Sequence, residues 1–238
     1  LEYQQQAANL RAKHVGAEHP DTLSDRNNAA ATLVRLNRLD EAEPELREVM
    51  QLRRQALGSF HPMTLRTALN LASLLSQRGR HDEALPIQQD VLARRTDLLG
   101  ANHLDTLNAA IHVASSLLAL KRLDEAARLA EATQALREEH LGPLHPDSLT
   151  SLQLLAMIAT ERGDVDSARR YLDRALAGWE SSGGRDHPQS LMAAARLVNL
   201  ERSENPSRAD ELHGRYLEQF LQREDAALSS LLRSTRSE

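Results

Sequence analysis

The chain has 238 residues, 41% hydrophobic and 26% charged, with no cysteine, so it can bury a sizeable core but is neither a disulfide scaffold nor a cysteine-ligated metal protein. Its 29 Lys and Arg against 34 Asp and Glu leave a net charge of −5, which argues against nucleic acid as a partner of the whole surface. Aromatic residues make up 3%, too few for base-stacking platforms, and 8 Pro with 10 Gly leave long stretches open to helix, so an all-α protein is expected. No apolar run approaches the roughly 18 residues of a membrane span, and Leu1 is not followed by a basic-then-apolar leader. The expectation is a soluble piece cut from a longer protein, cytoplasmic unless a transmembrane segment lies upstream, and not inserted in a membrane.

In chain order, residues 1–18 read as the second helix of a truncated unit, because Asn9 to Gly16 aligns with Gln51 to Gly58. Five units follow with a period of 42 residues, over 19–60, 61–102, 103–144, 145–186 and 187–222, and 223–238 reads as a capping helix and tail. His19, His61, His103, His145 and His187 keep the period, as do Gly16, Gly58, Gly100, Gly142 and Gly184 and the column Leu23, Leu65, Leu107, Leu149 and Leu191. The small residues Ala42, Ala84, Ala126 and Ala168 keep it too, whereas Ala209 arrives one residue early.

Each unit carries signals for two helices. Pro62 suits a first helical turn, where its missing N–H costs no hydrogen bond, and Leu65, Leu69, Leu71, Ala72 and Leu75 recur at helical spacing. A left-handed residue at Gly79 ends the first helix, with Asn37, Lys121, Gly163 and Asn205 in the same slot. Asp82 and Glu83 place negative charge at the start of the second helix, which runs to Gly100. Alanine at 84 keeps that helix thin where the first packs against it, and leucine there is expected to overpack the hairpin. A single hairpin cannot bury its apolar face alone, so the hairpins stack.

The small residues Ala30, Ala72, Ala114 and Ala156, the later alanine column and the acidic pair opening the second helix resemble the tetratricopeptide repeat. The joint of Leu141-Gly142-Pro143-Leu144-His145-Pro146-Asp147-Ser148-Leu149 and the segment Asn70-Leu71-Ala72 are similar to the kinesin-light-chain subclass. The resemblance covers about residues 1–222 and implies a right-handed α-solenoid of stacked helix-turn-helix repeats whose first helices line a concave groove. It implies a module that binds a peptide or partner segment in that groove, within a larger protein. The alternative is a regulatory or sensor segment of a multidomain signalling protein, such as a bacterial serine/threonine kinase or a signalling NTPase, acting in cis or by self-association through the truncated N-terminal helix.

Inward-facing columns place Asn28, Arg35, Arg66, Asn70, Ser73, Gln77, His112, Arg196, Asn199 and Arg202 on the groove as the candidate binding residues. An amide offers both donor and acceptor to the backbone of an extended ligand, the role the resemblance implies for Asn28 and Asn70; the alternative is a hydrogen bond to a neighbouring turn. The arginines favour a partner that is acidic or has a free C-terminus, able to pair bidentately, or form an ordinary solvated face. The column Arg11, Arg53, Arg95 and Arg137 reads as scaffold, bridging to acidic side chains such as Asp21, Asp105 and Asp147. Trp179 interrupts it, either as an exposed contact or as half-buried packing. The joint histidines lie in five separate loops and lack zinc-ligand spacing, so no metal or other cofactor is expected. No phosphate-binding loop, nucleophile elbow or His-Glu-x-x-His helix is present, so no enzymatic activity is expected.

Overall fold

The computed structural model describes residues 1–184 and 187–218. The capping helix expected over 223–238 lies outside them. The chain forms two compact units, Leu1–Lys121 and Arg122–Glu238. The first holds α1 (Glu2–Val15), α2 (Pro20–Arg35), α3 (Leu39–Leu57), α4 (Pro62–Gln77), α5 (His81–Leu99) and α6 (Leu104–Ala119). The second holds α7 (Leu123–Leu141), α8 (Pro146–Glu161), α9 (Val165–Gly183), α10 (Pro188–Glu201) and α11 (Pro206–Leu212), which passes into a π-turn at His213–Leu217. Within each unit the successive helices pack against one another as stacked hairpins, and no strand occurs among the described residues.

The joints explain why the first helices begin where they do. His19, His61, His103, His145 and His187 are N-caps whose Nδ1 accepts the backbone N–H two residues on, at 3.1–3.3 Å. A neutral imidazole thus stands where Ser or Asp usually satisfies an orphan amide, and the geometry requires its proton on Nε2. The next turn closes on the preceding helix: Thr22, Ser148 and Ser190 donate their hydroxyls to the carbonyls of Gly16, Gly142 and Gly184 at 2.9–3.0 Å. His145→Ala is expected to cost about 1 kcal/mol, and His145→Asn to keep most of it because its amide oxygen accepts. Urea midpoints of the three proteins check this; equal losses in both variants show that the ring packs rather than caps.

The turns between the two helices of a repeat follow the expected left-handed residue at four places, with φ of 58° at Asn37, 74° at Gly79, 59° at Lys121 and 76° at Gly163. Asn205 departs from the expectation, with φ −141°. It precedes Pro206, which forces an extended conformation, and its side chain caps α11 by accepting from the Arg208 N–H at 3.3 Å. Ala209 arrives one residue early because α10 has 14 residues where α8 has 16, while the turn after it, 202–205, is one residue longer than 162–164. Ala42, Ala84, Ala126 and Ala168 have no exposed surface, and in the first unit Ala42 and Ala84 lie in one cluster with Ala30, Leu71 and Ala72, as a thin seam requires. Opposite the joints, Arg38, Arg80 and Arg122 pair with Glu41, Glu83 and Glu125 three residues on, at 2.6–2.8 Å. These guanidiniums hold the three carboxyls below the usual carboxylate range.

Candidate interaction surface

In the first unit, α2 is flanked by α1 and α3, and α4 by α3 and α5. Each first helix therefore keeps one stripe that no second helix covers. On α2 that stripe runs through Asn28, Ala31 and Arg35, and on α4 through Arg66, Asn70, Ser73 and Gln77, at the three-to-four-residue spacing of a single face. Asn28, Arg35, Arg66, Ser73 and Gln77 are exposed, as is His112 on the corresponding face of α6. None of these positions carries a carboxylate.

The two asparagines differ. Asn28 is exposed, whereas Asn70 is half-buried and donates Nδ2 to Oδ1 of the buried Asn27, at 3.2 Å. Asn70 thus ties two first helices together, a contact to a helix rather than to a neighbouring turn. Gln77 donates across the repeat to Asn37 Oδ1 at 3.3 Å, and Arg35 donates to Thr32 Oγ1 at 3.0 Å. In the second unit Arg196, Asn199 and Arg202 lie toward the end of α10 and after it. Burial pushes the Arg196 guanidinium down from its usual range, and its Nη1 is shut from solvent without a hydrogen-bond acceptor. The matching stripe of α8 is more apolar, with Leu154 buried and Met157 exposed.

The arginine column on the second helices does reach the joints, but mostly through backbone rather than carboxylates. Arg11 meets Asp21 and Asp25 at 3.4 and 2.8 Å, as a carboxylate bridge. Arg95 and Arg137 instead donate to the backbone oxygens of Asp105 and Asp147 at 2.6 and 2.8 Å. Arg53 has Met63 and Thr67 at the positions of Asp21 and Asp25, and it donates to Met63 O, Thr67 Oγ1 and Ser24 Oγ at 2.7–3.0 Å. A carbonyl at the start of a helix occupies a fixed place in every repeat, whereas the side chain one bond away varies. Arg53 is fully buried, and burial, reinforced by the like charge of Arg66, pushes it down to about 10. Trp179 fills the same column in the second unit. It is buried and stacks on His187, with centroids 4.8 Å apart and planes within 9°, so it is packing rather than an exposed contact.

Among the described residues no three His, Asp or Glu side chains gather as a metal site, and no helix is long and apolar enough to cross a membrane. The tetratricopeptide-repeat family profile matches residues 26–97, 63–139, 105–172 and 147–222. No curated protein matches the chain. Among solved structures, the chain is similar to a Podosopora anserina protein described as a kinesin light chain with nearly identical TPR-like repeats, at 24% identity and a TM-score of 0.73 over 86% of this chain and 97% of that one. It is similar to BtubC (BKLC) from P. vanneervenii, at 18% identity and a TM-score of 0.75 over 90% of this chain and 89% of that one. A Rap protein complexed with competence and sporulation factor shares 11% identity and a TM-score of 0.73, over 90% of this chain and 57% of the Rap chain.

Proposed function

Because the chain belongs to the tetratricopeptide-repeat family, we propose that it is a non-enzymatic interaction module that binds an extended peptide or partner segment along the uncovered stripe of its first helices. The observation that carries this reading is the stripe on α2 and α4. It carries Arg35, Arg66 and the exposed amide of Asn28 with no carboxylate among its positions. Exposed arginines without internal counter-charges favour a ligand that brings its own, an acidic side chain or a free C-terminal carboxylate. The amides serve the ligand backbone, whose donors and acceptors are the same whatever its sequence. The likeness in fold to part of a Rap protein complexed with competence and sporulation factor is in keeping with this reading.

The test is a peptide library displayed with free or amidated C-termini, read against the wild-type chain and an Asn28→Ala, Arg66→Ala double variant. Both substituted side chains are exposed, so circular dichroism and urea midpoints should match wild type within about 0.5 kcal/mol. The expected result is enrichment of acidic sequences by the wild-type chain and at least tenfold weaker binding by the variant. Equal binding by both proteins would move the site off this stripe.

A further inference from the structure

Between α1, α2 and α3 lies a cavity of about 530 Å³, a size typical of small-ligand sites. The largely buried Ala8 from α1 and Ala29 and Leu33 from α2 form its apolar floor, and Gln5, Asn9, Arg26, Glu41 and Glu45 form a polar rim. The repeats themselves supply the comparison. One period later, Ala8, Ala29 and Glu45 are replaced by Met50, Leu71 and Ile87, and all three pack into the core of the first unit. In the lining of this space Ala8, Ala29 and Glu45 thus stand where the next repeat sets larger or apolar side chains, while Arg26 stands where it sets Ala68.

Arg26 does not fill the space. Its guanidinium is drawn onto α3 by Glu45, at 2.5 and 3.1 Å, and by Glu48, at 2.7 and 3.4 Å, and these hydrogen bonds raise it above the usual arginine range. Hydrogen bonds to a guanidinium lie in its plane, so a doubly clamped arginine keeps its flat faces for stacking. The second unit shows what suits this place. The column of Glu45 holds Tyr171 there, and its ring packs against Leu149, Leu152, Ala175 and Trp179.

We propose that this cavity binds an uncharged aromatic ring, of the phenol or indole class, against the Arg26 guanidinium and the methyl groups of Ala8 and Ala29. The ring supplies from outside what the Tyr171 column supplies from within. Glu45 and Glu48 outnumber the single arginine they clamp, which disfavours a ring bearing a carboxylate. The site is separate from the stripe of the first helices and does not rest on its function.

The full chain is titrated with indole, p-cresol, N-acetyl-tryptophanamide and N-acetyl-tyrosinamide, following the methyl resonances of Ala8, Ala29 and Leu33. Free rings are expected to give saturable shifts with a Kd of about 1 mM. The Ala8→Met, Ala29→Leu variant imports the residues of the next repeat and is expected to keep its fold and lose binding at least tenfold. Arg26→Met, which keeps length but removes the planar cation, is expected to weaken it independently. Binding of the amides as well as the free rings identifies an aromatic side chain of a partner as the occupant, and binding of the free rings alone identifies a small ligand. Absence of saturable shifts with all four probes, or unchanged shifts in both variants, overturns the proposal.

Discussion

Leucine at position 84 is expected to destabilise the first unit by about 2 kcal/mol. Ala84 has no exposed surface and lies on α5 within the cluster of Leu71, Ala72, Leu74 and Leu75. The seam between α4 and α5 is closed at the width of a methyl group, so three additional heavy atoms force either a rotamer out of its well or the helices apart. Ala93 on the same helix is exposed, and Ala93→Leu controls for helix propensity and added apolar surface, with an expected change within about 0.5 kcal/mol. Urea unfolding of both variants measures the difference. Equal midpoints would mean that the alanine column reflects composition rather than close packing.

Removing the two arginines around Glu201 is expected to have an effect at least as large. Glu201 is fully buried at the end of α10, and it accepts from Arg169 Nε at 2.6 Å and from Arg208 Nη1 at 3.0 Å. The Arg169→Ala, Arg208→Ala variant leaves a carboxylate buried without a cation, at a cost of about 3 kcal/mol. Adding Glu201→Leu to that variant removes the orphaned charge and should recover most of the loss, since a buried ion pair is worth little against apolar packing of similar size. The thermal midpoints of the double and triple variants decide the matter. A triple variant no more stable than the double would place the cost in the lost arginine stems, which cover the end of α10.

Joint histidines illustrate how a residue can be legible in place and not in role. Their spacing located every joint, and the proline after four of them marked the first helical position. Their capping was not read, because histidine is not among the usual capping residues and only the Nδ1 geometry reveals it. The signal available in the sequence was the coincidence of a ring acceptor directly before Pro146 with an acidic Asp147 at the helix start. The candidate stripe was legible as a face of each helix, because helical spacing puts Asn28 with Arg35 and Arg66 with Ser73, whereas the reading of those faces as a groove came from the resemblance. Which of its groups remain available was not legible: Asn70 is turned to Asn27, its partner 43 residues away.

The sequence by itself determined the period, the two helices of each repeat, the left-handed turns at Asn37, Gly79, Lys121 and Gly163 and the alanine seam, and with these the family. All follow from short-range rules of backbone conformation and apolar spacing that operate within about one turn. Tertiary structure alone decided that Arg53 ends on a carbonyl and two hydroxyls, that Trp179 is buried against His187, and that Ala8 and Ala29 leave space beside a clamped Arg26. These depend on what a side chain meets on other helices, where volume and charge are balanced between residues far apart in the chain. A repeat fixes where its neighbours lie, but the unfilled volume appears only when one repeat departs from the residues the others use.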